Sequence, residues 1–198
     1  MKKLIATMWL SLDGFISDRD ETDWDWVLGG DEMSDYEIGM VNNADTLLLG
    51  RKTFEGFAEH WGNVPENPDA PEWEKTYAAK INALKKIVFS KTLQKADWEN
   101  SEISKEIDPK EIEKLKTESS KGIIVYGSAS VIRNLARLEL IDEYQFLVHP
   151  VMLGGGTSLF EERVNLKLTD SKQFKSGVTL LKLEPDSHYG KQKLFGEK

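Results

Sequence analysis

The stretch from Gly122 to Phe160 constrains this chain most. It reads as a buried strand (Ile123, Ile124, Val125, Tyr126), a turn of small residues (Gly127, Ser128, Ala129, Ser130), a helix, a second apolar strand from Tyr144 to His149, and a glycine loop (Gly154, Gly155, Gly156). A strand that runs through Gly-Ser-Ala-Ser into a helix brings free backbone N–H groups, short hydroxyls and the positive end of the helix dipole to one point. That point suits a phosphate. Val131, Leu135 and Leu138, spaced by four and three, give the helix a stripe to bury against a sheet.

The rest of the chain repeats the alternation. Lys3 to Leu12 is an apolar, β-compatible run broken by Asp13-Gly14, and it reads as a central strand leaving into a loop. Although MKKLIATMWLSLDGFIS has the look of a short leader, its apolar core is brief and no small-residue cleavage site follows, so the strand reading is preferred. Ser34 to Asn43 is expected to be a helix, with Ser34 as N-cap, Glu37 closing a capping box, and Tyr36, Met40 and Val41 facing inward. Thr46 to Leu49 is a short strand, and Gly50-Arg51-Lys52-Thr53 leads into a helix carrying Phe54 and Phe57.

Trp61 to Ala70, rich in Gly, Pro and Asn, reads as a surface excursion. Lys86 to Phe89 is a third strand ending in Ser90-Lys91-Thr92, and Asp108-Pro109 starts a surface helix with Asp as cap. Leu166 to Phe174 and Val178 to Leu183, joined by Lys175-Ser176-Gly177, form a hairpin. The expectation is an α/β domain over residues 1–185 with a mostly parallel sheet, an antiparallel C-terminal edge and a ligand crevice at the strand ends, followed by a polar tail over 186–198.

Composition narrows the function. The chain of 198 residues has no Cys and three scattered His, which excludes disulfides, thiol catalysis and a cysteine-zinc site and suggests no metal centre. An intracellular, cytoplasmic protein is expected. The net charge of −8 argues against nucleic-acid binding, and no segment is long enough to span a membrane. From Asp13 to Asp45 there are eleven acidic residues against one basic residue, Arg19. Trp24 and Trp26, with Trp9, are candidate substrate-side walls, or simply a hydrophobic cover.

Three strand ends, Gly50-Arg51-Lys52-Thr53, Ser90-Lys91-Thr92 and Gly127-Ser128-Ala129-Ser130, taken in order with the Leu12-Asp13-Gly14-Phe15-Ile16 exit, resemble the dihydrofolate reductase superfamily. Ser11-Leu12-Asp13-Gly14, Gly127-Ser128-Ala129 and the run His149-Pro150-Val151-Met152-Leu153-Gly154-Gly155-Gly156 are similar to the reductase domain of riboflavin biosynthesis and its stand-alone relatives, over about residues 2 to 184. The resemblance implies a three-layer dihydrofolate reductase-like fold and NADPH-dependent hydride transfer to a small heterocyclic, carbonyl or imine substrate. It implies that Gly50, Arg51, Lys52 and Thr53 meet the adenosine-side phosphates, and that Ser90 and Lys91 meet the adenine ribose and its 2′-phosphate. Gly127, Ser128, Ala129, Ser130, Val131 and Ile132 would hold the pyrophosphate. Ala6, Thr7, Leu12, Gly14, Phe15 and Ile16 would border the nicotinamide, with Gly155 approaching the same cleft.

Fixed cations at Arg51, Lys52 and Lys91 suit a 2′-phosphate and favour NADPH over NADH. The G-x-G-x-x-G pattern of a Rossmann site is missing. A folate-reducing enzyme carries an acid on its first helix; Asp31, Glu32, Asp35 and Glu37 are all available for that role. The riboflavin enzyme takes a ribose phosphate and often carries a zinc deaminase domain, for which this chain lacks the Cys pair; the acidic Gly14 to Asp35 region repels a phosphate. Asp13 is the candidate proton-handling residue, with a turn-forming Asp before Gly14 as the alternative. A nucleotide-binding module without turnover is the second functional expectation, and a homodimer contact through the second strand and glycine loop is a third.

Overall fold

A computed structural model describes residues 1–19 and 24–188. The elements in chain order are β1 (Leu4–Ser11), β2 (Phe15–Ser17), α1 (Asp31–Asn42), β3 (Thr46–Gly50), α2 (Arg51–Asn63), α3 (Glu72–Ala83), β4 (Lys85–Phe89), β5 (Ser101–Ser104), α4 (Pro109–Glu118), β6 (Ile123–Val125), α5 (Ala129–Arg137), β7 (Glu143–His149), β8 (Thr157–Ser158), β9 (Leu166–Gln173) and β10 (Thr179–Pro185). Eight strands form one sheet in the order β5-β4-β3-β6-β1-β7-β10-β9, and β2 pairs with β8 in a small second sheet. The first six of the eight run parallel, and β10 and β9 are antiparallel. The expected mostly parallel sheet with a closing antiparallel hairpin is what the chain forms.

Burial explains the three layers. Leu47, Leu48, Leu49, Ile123, Ile124 and Val125 are all 0–1 % exposed, as expected for short apolar strands covered on both faces. On one face Leu4, Ala6, Ile123 and Val125 pack with Ile112 of α4 and Val131, Ile132 and Leu135 of α5. On the other face Leu47, Leu49, Val88 and Ile124 pack with Met40 and Val41 of α1, Phe54 of α2, and Tyr77 and Ile81 of α3. Each Leu, Ile, Val, Met or Phe side chain among them contributes about 1.5–3 kcal/mol when fully buried. Lys86, itself buried, donates to the carbonyls of Asn82 (2.7 Å), Leu84 (2.9 Å) and Glu99 (3.1 Å), so α3, β4 and the turn before β5 are tied at one ammonium.

Several boundaries differ from the sequence expectation. The first helix begins three residues before Ser34, with Gly30 in the N-cap position and Asp31 and Glu32 in its first turn, where the dipole favours acids. Ser34 therefore lies inside α1 and caps nothing. Asp108 does cap α4, accepting from the Lys110 N–H at 2.9 Å. Leu138 is the C-cap of α5 and 42 % exposed, so the buried stripe of that helix ends at Leu135. Helix α3 and strand β5 were not anticipated. The former follows the Pro-rich excursion, and the latter is an edge strand of sequence SEIS with no hydrophobic alternation. Most of the expected tail, residues 189–198, lies outside the described residues. No helix among the described residues is long and apolar enough to cross a membrane.

Candidate functional site

The site begins where the sheet divides. Strand β6 pairs with β1 only as far as Ala6↔Val125, whereas β1 continues beside β7 to Ser11↔His149. Beyond Val125 the chain keeps to β3 instead: the Tyr126 N–H reaches the Leu48 carbonyl (3.4 Å) and the Gly50 N–H reaches the Gly127 carbonyl (3.0 Å). A gap therefore opens at the C-terminal edge between Thr7–Ser11 and Tyr126–Gly127. This is where a parallel α/β sheet accepts a ligand.

Helices α2 and α5 start side by side on one flank of the gap. A Cβ on Gly50, the N-cap residue of α2, would overlap the Ser128 hydroxyl and lie 3.0 Å from the Ser128 Cβ, so only glycine lets the two helix starts approach this closely. Gly127 has a φ of +95° and faces Met8 and Thr53; its peptide with Ser128 is cis. Neither helix has a side-chain cap or an acid in its first turn, whereas α1, α3 and α4 each carry acids there. Two uncapped positive helix ends, with Arg51 and Lys52 in the first turn of α2, form an environment suited to phosphates.

The Ser128 and Ser130 hydroxyls lie 2.9 Å apart on this flank, and the exposed Arg51 guanidinium also pairs with Glu55 at 3.2 Å. Ser90 follows β4, one strand farther out, and its hydroxyl accepts from the Thr92 and Leu93 N–H groups (3.2 and 2.9 Å), which shapes the turn presenting Lys91. These residues fit a dinucleotide phosphate run. Ala6, Val131 and Ile132, by contrast, are core side chains no more than 4 % exposed, and only their backbone is available to a ligand. Ala129 and Thr7 are likewise buried, the Thr7 hydroxyl without a protein partner.

The opposite flank is aromatic and acidic. Trp9 on β1 donates its indole N–H to Glu37 of α1 at 2.9 Å. Desolvation pushes the Glu37 carboxyl up to about 7, although the Trp9 bond opposes the shift. At the β6 edge of the gap, burial first and neighbouring charge second raise the phenols of Tyr77 and Tyr126, which bond to each other at 3.0 Å. Trp24, 55 % exposed, stacks on Trp26 at 6.3 Å and meets Trp9 edge-on at 6.4 Å. Trp26 is buried against His149, whose Nδ1 accepts the Leu28 N–H at 3.1 Å. Burial lowers that imidazole to about 4.

Asp13 occupies a different place. Its carboxylate accepts from the Ser11 hydroxyl (2.6 Å) and from the Leu153 and Gly154 N–H groups (3.1 and 2.8 Å), joining the β1 exit to the glycine loop. The Ser11 bond first, and then the two amides, hold it below the usual carboxylate range. An anchored, ionised carboxylate is a poor proton donor. Leu12 is exposed at the tip of this turn, Gly14 has a φ of +86°, and Phe15 and Ile16 enter β2, which pairs with β8 just after the glycine loop. Gly155 sits against the Arg19 guanidinium, which donates to the Gly154 carbonyl at 3.2 Å.

Glu37 was indistinguishable from its acidic neighbours by composition. A signal existed nonetheless: it lies four residues after Met33 and three before Met40, on the apolar face of the helix.

The sequence and the fold both have counterparts among known proteins. The family model described as RibD C-terminal domain matches residues 2–180. The protein YyaP of Bacillus subtilis (strain 168), itself uncharacterized, is 35 % identical over 180 residues, covering 89 % of this chain and 92 % of its own. A Shewanella sp. PV-4 structure assigned to riboflavin biosynthesis superposes with a TM-score of 0.71 at 20 % identity, covering 93 % of this chain and 99 % of that one. Dihydrofolate reductase from Enterococcus faecalis, solved with NADP(H), gives a TM-score of 0.59 at 17 % identity, covering 93 % and 97 %.

Proposed function

Because this chain belongs to the RibD C-terminal domain family, we propose that it is an NADPH-dependent reductase acting on a small planar heterocycle or on a carbonyl or imine group. One observation carries the reading: two uncapped, acid-free helix starts converge on one flank of the sheet gap, and a protonatable carboxyl stands on the other. The dihydrofolate reductase neighbour was solved with NADP(H), which supports the choice of cofactor.

When bound, NADPH supplies the hydride. The N-termini of α2 and α5, with the Ser128 and Ser130 hydroxyls, take the pyrophosphate, while Arg51, Lys52 and Lys91 answer the 2′-phosphate. The edge of β1 from Thr7 to Ser11, left open where β6 departs, offers backbone groups to the ring inside the gap. Trp9 holds the Glu37 carboxyl in place, and Glu37, not Asp13, gives the proton that accompanies hydride addition. Asp13 instead fixes the glycine loop beside the cleft. A non-catalytic binding module is favoured by the lack of an acid at the site, and Glu37 removes that ground.

The test is steady NADPH oxidation with a panel of pterin, pyrimidine and quinone-like acceptors. Turnover is expected with at least one, with the Michaelis constant for NADPH raised about tenfold or more by Arg51→Ala or Ser128→Ala. Bound NADPH that no acceptor in the panel consumes would contradict the reductase reading.

A further inference from the structure

We infer that the substrate is a planar heterocycle without a phosphate group, neutral or cationic, and that the charge around the substrate flank discriminates against phosphorylated analogues. This rests on reading the sheet gap as the reductase site, and it departs from the ribose phosphate that the resemblance to the riboflavin enzyme implies.

Charge is divided across the gap. The first turn of α2 carries Arg51 and Lys52 and no acid, whereas α1, beside Trp9, carries Glu37 on its inner face, Glu32 at its first turn, Asp31 and Asp35 on its exposed side, and no Lys or Arg. The one basic residue between Asp13 and Asp45, Arg19, is turned onto the glycine loop, where it donates to the Gly154 carbonyl. Lys175, the ammonium at the first turn of α1, is met by Glu32 at 3.5 Å, and Glu32 also accepts the Lys175 N–H at 3.0 Å, while Lys80 and Lys121 bond to Asn42 at the far end of the helix. Lys172 lies over the Phe174 ring at 4.8 Å. Among the described residues, a dianionic phosphate beside Trp9 would meet the Glu37 carboxyl without a cation set of the kind that α2 provides.

The walls select shape and edge chemistry. Trp24 leaves more than half of its surface open for stacking, with Trp26 behind it and Trp9 at its edge. Glu37 spends one oxygen, Oε1, on Trp9 and keeps the other for a ligand N–H. A carboxyl with an open oxygen beside the indole walls suits a ring N–H of a planar heterocycle.

The experiment measures quenching of tryptophan fluorescence by 5-amino-6-ribosylaminouracil and by its 5′-phosphate, with no cofactor present. The unphosphorylated compound is expected to bind about tenfold or more tightly at low ionic strength, the ratio narrowing as salt rises or in Glu37→Gln. Equal or tighter binding of the phosphate, its specific loss in Arg19→Ala, or quenching by neither compound would overturn the inference. Failure of NADPH to bind in a separate titration would sink the reductase reading while leaving the ligand preference standing, so the two failures are distinguishable.

Discussion

Glu37 is an acid on the buried face of a helix, bonded to an indole and raised by desolvation to about 7. As a proton donor it must be protonated to act, so turnover is expected to fall as pH rises through about 7. Glu37→Gln should lower kcat about 10²-fold and flatten that limb while leaving the dissociation constant of NADPH unchanged; a retained pH limb in the variant would count against the assignment. His149 makes a second residue-scale prediction. Its imidazole titrates at about 4 in the fold against about 6.5 when unfolded, so between those values the unfolded chain binds more protons. Stability should therefore drop as pH falls from about 6.5 to about 4, seen as a falling Tm, and His149→Gln should flatten the slope in that window. In the sequence His149 ends an apolar strand and opens the glycine-loop run, with no chemical role attached to it. Its role arises from long-range placement beneath Trp26 and beside Leu28, which no local pattern encodes.

At the scale of elements, the meeting of α2 and α5 is the feature most open to test. Gly50 has φ −86° and ψ 164°, a conformation any residue can take, so the demand for glycine comes from Ser128 and not from the backbone. Gly50→Ala should destabilise the protein by about 1–3 kcal/mol and weaken NADPH binding, and adding Ser128→Gly should recover much of the stability. Thermal melts of both variants with the Ser128→Gly single mutant complete the cycle; strict additivity would contradict the close approach. The strand-turn-helix units at Gly50 and Gly127 were legible because their apolar runs end at glycine. Strand β5 was not, because an exposed edge strand needs no apolar alternation to hold its place. The Ser34 capping box failed because Gly30 and the acidic pair after it start the helix a turn earlier.

For the whole molecule, the parallel sheet, its antiparallel edge and the strand-end crevice could be read from the order of apolar runs. The gap itself could not, since it depends on β6 parting from β1 at Val125 while β1 runs on to Ser11. That divergence opens the gap, and the adjacency of β4, β3 and β6 sets the Ser90, Gly50 and Gly127 turns side by side along one flank of it. The central claim is that this flank holds NADPH and reads its 2′-phosphate. Titration calorimetry of the wild-type protein with NADPH and then NADH tests it most directly. The account predicts saturable NADPH binding with NADH weaker by about tenfold or more; absence of binding by NADPH into the millimolar range, or equal affinity for the two dinucleotides, would contradict it.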